Sequence, residues 1–220
     1  MKRRSCRTVK SARVGTDLTA VSLFSGAGGL DIGVESAGFH VVAALERNND
    51  ACRTLERNFC NEGRRVKTAI LRADIKDLSI SDLRVISGVD RNGIDLLVGG
   101  PPCTPFSKSG YWIETKRTGQ DPDRFLLDHY VRFVKGLKPR AFIMENVHSL
   151  AYDNHNRSSL SNLCDSLRGL GYRLAQAVLV AAEYGVPQVR QRLFIIGAKK
   201  CDPFASVKNA RRSRRDSQTI

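Results

Sequence analysis

None of the six cysteines, Cys6, Cys52, Cys60, Cys103, Cys164 and Cys201, forms a CxxC pair or stands at a Cys/His ligand spacing. That leaves no disulfide framework and no zinc motif, so the chain reads as a metal-free protein with free thiols in a reducing compartment. No stretch approaches the roughly 18 apolar residues of a membrane span, and the basic amino terminus lacks the apolar core of a signal peptide. A cytoplasmic protein is expected. Acids are absent from residues 1–16, where Lys2, Arg3, Arg4, Arg7, Lys10 and Arg13 leave a charge of +6. They are scarce again at 198–220, where seven cations face only Asp202 and Asp216, a net +5.

Those two stretches carry most of the overall +14. Neither shows apolar periodicity, so both are expected to be disordered basic tails suited to a polyanion, since each neutralised phosphate releases counterions. A solubilising tail would look the same. Between them, residues 17–197 are enough for one α/β domain that buries its own core without disulfides or metals.

The most informative stretch is Gly99 to Ser107, GGPPCTPFS. It follows Ile94 to Val98, IDLLV, a continuous apolar run of the kind that forms a parallel strand buried on both faces. Cys103 is therefore expected just past that strand's carboxyl end, where open α/β sheets bind ligands. Pro101 and Pro102 fix two φ angles and remove two donors, which stops the strand and stiffens the approach to one thiol. A turn cysteine is more often a small buried hydrophobe, and the flanking GGPP is what argues for reactivity.

Upstream, Thr19 to Phe24 reads as a buried strand and Ser25-Gly26-Ala27-Gly28-Gly29 as a turn into a helix. Leu30, Gly33, Val34 and Ala37 would share that helix's packing face, and Gly38 would end it. His40 to Leu45 is a second strand, stopping at Glu46. Strand, glycine turn, helix, strand and terminal acid make a nucleotide-binding βαβ unit, with Glu46 placed to accept ribose hydroxyls. The dinucleotide pattern GxGxxG fails, because Asp31 stands where its last glycine belongs. A smaller adenosine ligand such as S-adenosylmethionine fits better.

Thr68 to Ala73 reads as a third strand closing on Asp74-Ile75, a pair able to bond an adenine amine and pack on its ring. Ser79 to Ile86 reads as a helical turn. Residues 107–123 lack any period and mix Lys108, Lys116 and Arg117 with Tyr111 and Trp112, which suits a closing lid over nucleic acid or an ordinary surface loop. Leu126, Tyr130, Phe133, Val134 and Leu137 mark an amphipathic helix, and Ala141 to Met144 a fifth strand ending in Glu145-Asn146-Val147. A helix through Leu160, Leu163, Cys164, Leu167 and Leu170 would start at Ser158 or Ser159 and stop at Gly171. Tyr172 to Ala181 and Arg192 to Gly197 read as an antiparallel pair, joined through YGVPQVRQR, whose Arg190 and Arg192 would share one face.

With these motifs in order, the chain resembles the cytosine-C5 DNA methyltransferases from about Thr19 to Gly197: FSGAGGLDIG, Glu46, Asp74-Ile75, GGPPCTPFS, the Leu126 helix, MENV and YGVPQVRQRLFIIG. The resemblance implies a Rossmann-like S-adenosylmethionine-dependent methyltransferase fold, mostly parallel with helices on both faces. It implies that Cys103 adds to C6 of a flipped-out cytosine in double-stranded DNA, helped by Glu145, Arg190 and Arg192. Phe24, Ser25, Gly26, Gly28, Gly29, Glu46, Asp74, Ile75, Pro101 and Leu126 would hold the cofactor. Restriction-modification in the nucleoid is the implied setting.

Ser22 stands where many members carry an acid, and Thr104 where many carry Gln. Members also continue past the RLFIIG strand with a target-recognition domain and two further motifs, whereas 23 residues follow Gly197 here. The expectation is an incomplete catalytic domain, 17–197, relying on a second chain. A non-catalytic remnant that binds nucleic acid and an RNA cytosine methyltransferase are the alternatives.

Overall fold

The computed structural model describes residues 18–60, 67–89, 93–102, 125–152 and 154–203. Cys103, the 107–123 lid, residues 1–16 and most of the carboxy-terminal tail lie outside them. The chain divides into two compact units, Met1–Gly99 with Phe133–Pro139, and Gly100–Arg132 with Arg140–Ile220. The architecture is α/β, with a seven-stranded, mostly parallel sheet.

In the first unit the order is β3 (Ala69–Arg72), β2 (Phe39–Glu46), β1 (Leu18–Leu23) and β4 (Leu96–Gly99), all parallel. Runs such as AVSL and LLVG are buried throughout, as strands covered on both faces must be. Helix α1 (Gly29–Ser36) follows β1, and α2 (Asn49–Phe59) follows β2. Cys52, Leu55 and Phe59 of α2 are buried, each large side chain contributing about 1.5–3 kcal/mol. Asn48 caps α2 by accepting from the Asp50 and Ala51 N–H groups. Helix α3 (Ile80–Ser87) is capped by Ser79 and ends on Gly88.

Helix α1 does not bury the expected face. Gly33 and Ala37 are exposed, and the inward residues are Asp31 and Val34. The i, i+3 spacing holds, but one of its members is a carboxylate that a count of apolar residues passes over.

In the second unit β5 (Ala141–Val147), β7 (Gln191–Ala198) and β6 (Arg173–Val180) form an antiparallel ladder. β5 runs three residues past the expected Met144, because Glu145, Asn146 and Val147 pair with Phe194, Leu193 and Arg192. Phe142, Met144 and Asn146 face inward, with Phe142 edge-on to Tyr130 and Tyr172 at centroid distances of 6.2 and 5.1 Å. Helix α4 (Leu126–Leu137) buries the predicted face. A short helix α5 (Ser149–Tyr152) precedes α6 (Asn154–Gly169), which begins four residues before Ser158 and stops before Gly171. No helix among the described residues is long and apolar enough to cross a membrane.

Candidate active site

The first unit gathers its polar groups at the carboxyl ends of β1, β2 and β3, which the parallel register keeps level: Leu23 pairs with Leu45, and Glu46 with Arg72. Beyond Leu23 the chain turns through Phe24 at φ 54°, Gly26 at 55° and Gly28 at 91°. Left-handed backbone is free to glycine and costs about 1 kcal/mol for a phenylalanine, so Phe24 is held there by its surroundings. A Cβ at Gly28 would also stand 2.7 Å from the Phe59 ring. At Gly26 and Gly29 no described residue lies within 4 Å of the Cβ position, which leaves the turn bare for a ligand's approach.

Glu46 closes the turn. Its Oε2 accepts from Gly26 N at 2.8 Å and its Oε1 from Asn48 N at 2.7 Å. A carboxylate has about four lone-pair sites, so two remain for vicinal hydroxyls. Gly28 is the N-cap of α1 and offers no side-chain cap, so the helix presents uncapped first-turn N–H groups beside the turn. Ser25 N donates to Leu45 O at 3.1 Å. At the end of β3, Ile75 is buried, and Asp74 accepts from Lys76 N at 2.9 Å and faces Arg47 at 3.5 Å. Bare turn, uncapped helix start, an acid with spare lone pairs and an acid followed by an aliphatic residue fit an adenosine ligand carrying an amino-acid tail. Pro101 and Leu126 lie in the second unit, where both are buried.

The second unit brings Glu145 and Arg192 together. Arg192 Nε lies 2.9 Å from Glu145 Oε1, with the side chains about a quarter exposed (24% and 28%). The Arg192 Nη1 donates to Gln191 O at 2.8 Å. Antiparallel pairing explains the meeting, since Val147 sits opposite Arg192 and Glu145 two residues back on the same face. Arg190 is exposed, and its backbone ties to the turn Ala181–Tyr184 through Ala181 N donating to Arg190 O at 2.9 Å. The described contacts thus join Arg192, and not Arg190, to Glu145. A Cβ on Gly100 would lie 3.2 Å from Glu145 Oε2, so glycine lets the loop pass close to the carboxylate.

Asn146 was not singled out by the sequence. It is buried, its Nδ2 donates to Pro101 O at 3.1 Å, and its Oδ1 accepts from Val147 N at 2.8 Å. The end of β5 therefore grips the loop two residues before Cys103. The available signal was parity, a polar residue continuing the inward series Phe142, Met144.

Cys52 and Cys164 are buried, and burial pushes both thiols up, away from thiolate character. Among the described residues no group of three or more His, Cys, Asp or Glu could hold a metal ion.

Comparisons with known proteins identify the family and the fold. A model of the C-5 cytosine-specific DNA methylases matches residues 18–219. The type II methyltransferase M.SacI of Streptomyces achromogenes is 41% identical over 214 residues, covering 91% of this chain and 53% of that protein. M.AquIA of Picosynechococcus is 34% identical over 185 residues, covering 80% and 70%. In the crystal structure of a prophage-encoded DNA modification methyltransferase of E. coli, 84% of this chain superposes on 47% of that one, with a TM-score of 0.69 and 30% identity. The fold is accordingly Rossmann-like, and the chain spans about half the length of M.SacI. On its match to the family model over residues 18–219, the chain belongs to the C-5 cytosine-specific DNA methylases.

Proposed function

We propose that the chain transfers a methyl group from S-adenosylmethionine to C5 of cytosine in double-stranded DNA, in a restriction-modification setting in the cytoplasm. The observation that carries this reading is the joint placement of Glu145, Arg192 and Pro101. Asn146 fixes Pro101 beside a Glu–Arg pair whose second carboxylate oxygen, Oε2, is taken by no described hydrogen bond. That is a polar recognition edge next to the segment that leads into Cys103.

S-adenosylmethionine supplies an electrophilic methyl group, and the turn Phe24–Gly29 with Glu46, Asp74, Ile75, Pro101 and Leu126 would hold it. Cytosine C5 is a weak nucleophile until C6 is attacked. The Cys103 thiolate forms a bond to C6, and the displaced π pair makes C5 nucleophilic enough to accept the methyl. Loss of the C5 proton to a base then drives cleavage of the C6–S bond and returns the thiolate. Glu145 accepts from the N4 amine and, carrying a proton, donates it to N3 as charge moves there, while Arg192 serves both as the partner that keeps Glu145 oriented and as a donor to O2. Arg190, exposed on the loop before β7, contacts DNA phosphate near the nucleophile. Since C6 is unreachable in a stacked duplex, the base is flipped, and the 107–123 segment closes over it.

Target selection is proposed to involve a second chain, and DNA contact the basic stretches 1–16 and 198–220. The test is transfer of a labelled methyl group to duplex DNA and to RNA of the same sequence, with the chain alone and mixed with candidate partner subunits. Labelled 5-methylcytosine in DNA supports the reading; label in RNA alone, or in neither, contradicts it.

A further inference from the structure

One charged side chain near the glycine turn plays no part in that mechanism. Asp31, in the first turn of α1, is fully buried, and among the described residues neither of its oxygens makes a well-formed hydrogen bond. A buried carboxylate in that state is costly, so its retention asks for a reason. Its neighbour is Ser22 at the end of β1, also buried, whose hydroxyl partly offsets the effect of burial on the Asp31 carboxyl. Ser22 Oγ in turn accepts from Ser25 Oγ–H at 2.8 Å. A serine hydroxyl has one hydrogen to give, and with Ser25 donating to it, the Ser22 hydrogen is left for the carboxylate.

The Ser25–Ser22 hydrogen bond, which a turn of the Ser22 hydrogen toward Asp31 would extend into a relay, spans the one strained non-glycine residue of the turn, Phe24 at φ 54°. Ser25 N, bonded to Leu45 O, holds the same segment from the β2 side.

We propose that Asp31 is a positioning residue for cofactor binding: through Ser22 and Ser25 it locks Phe24 into the left-handed conformation that opens the turn to S-adenosylmethionine. This rests on the function proposed above. Ionised, Asp31 accepts, and both hydroxyls point inward in series. Protonated, it donates to Ser22, the series reverses, and the clamp on Ser25 is lost. Burial raises the Asp31 pKa to about 6, so the reversal falls within an accessible pH range. Glu35, one turn along α1, acts in the same direction. Among elements packed on α1, β2 carries His40 and Glu46, and β4 carries no titratable group. Both β2 groups persist in an Asp31 variant, so a pH response lost with Asp31 belongs to Asp31.

The test measures S-adenosylmethionine binding by calorimetry and thermal melting from pH 5 to 8 for the wild-type chain, Asp31→Asn and Ser22→Ala. Amide exchange at Ser25 and Gly28 is followed in the same samples. At pH 7.5 Asp31→Asn is expected to bind about tenfold more weakly while melting higher, and its Ser25 amide to exchange faster. The affinity gap closes toward pH 5 as wild-type Asp31 protonates. Ser22→Ala, which breaks the relay and keeps the acid, weakens binding similarly. Equal affinity in wild type and Asp31→Asn, or weaker binding accompanied by a lower melting temperature, overturns the positioning role. A wild-type chain that binds no cofactor at any pH overturns the proposed function instead. The anchor is then judged by exchange alone, where unchanged rates at Ser25 and Gly28 overturn it.

Discussion

Around the glycine turn, the Ser25–Ser22 pair aside, the hydrogen bonds run from backbone N–H groups to Glu46 and Leu45 O, whereas around Glu145 each of them involves a side chain: the Arg192–Glu145 pair, the Arg192 guanidinium to Gln191 O, and the Asn146 amide to Pro101 O and from Val147 N. The first unit builds its site from the shape of the main chain, with Glu46 and a buried acid as props. The second builds it from residues that two antiparallel strands bring opposite each other. Main-chain sites tolerate conservative side-chain change but fail when the backbone is strained. Side-chain sites keep their fold and lose their chemistry.

The comparison can be broken most severely at Glu145. In methylation-competent protein, Glu145→Gln is expected to lower single-turnover rate by about 10²–10⁴-fold, with cofactor affinity within twofold. Glu46→Gln should do the converse, weakening S-adenosylmethionine binding with turnover at saturation little changed. Equal effects on both quantities from either substitution would erase the distinction between the units.

Next in size is the pH response of stability. Asp31 titrates near 6 in the folded chain against 3.8 for an ordinary aspartate, so the native state holds a proton that the unfolded chain has released. Stability therefore falls as pH rises from about 4 through 6, by about 3 kcal/mol for the full shift. Melting temperatures of wild type and Asp31→Asn should converge at pH 4 and separate by pH 7.5, with the variant higher.

Two glycine substitutions sharpen the contrast by striking one unit each. Gly28→Ala puts a Cβ 2.7 Å from Phe59 on a backbone at φ 91°, and Gly197→Ala drives one into the Phe142 ring. Each is expected to cost about 1–3 kcal/mol, read as a lower midpoint in urea. Gly28→Ala should also weaken cofactor binding beyond its effect on the midpoint, and Gly197→Ala should not.

The smallest effect belongs to the exposed Arg53–Asp50 pair at 3.3 Å, one turn apart on α2. Arg53→Ala should shift stability by no more than about 0.5 kcal/mol and leave both sites alone.

Glycines and strand-end acids made the first unit readable in advance, because a turn that needs positive φ restricts the residues it can use. Gly26, Gly28, Glu46 and Ile75 all stand where their spacing pointed. Asp31 escaped because hydrophobic periodicity has no way to register a buried carboxylate. The helix Leu126–Leu137 was plain from its apolar face, but in the second unit the extent of β5 was not. Glu145 to Val147 become strand only through partners some 45 residues later in the chain, and long-range register leaves no local mark. The grip of Asn146 on Pro101 was hidden for the same reason.

The central claim is that this chain attacks cytosine through Cys103. The direct measurement is covalent trapping on duplex DNA with 5-fluorocytosine at the target position, where fluorine at C5 blocks the final proton loss and strands the enzyme on the base. With S-adenosylmethionine, alone and mixed with candidate partner subunits, wild-type protein is expected to give a denaturation-stable adduct and Cys103→Ser none. An adduct that survives in Cys103→Ser, or a wild-type protein that methylates DNA yet never traps, would contradict the account.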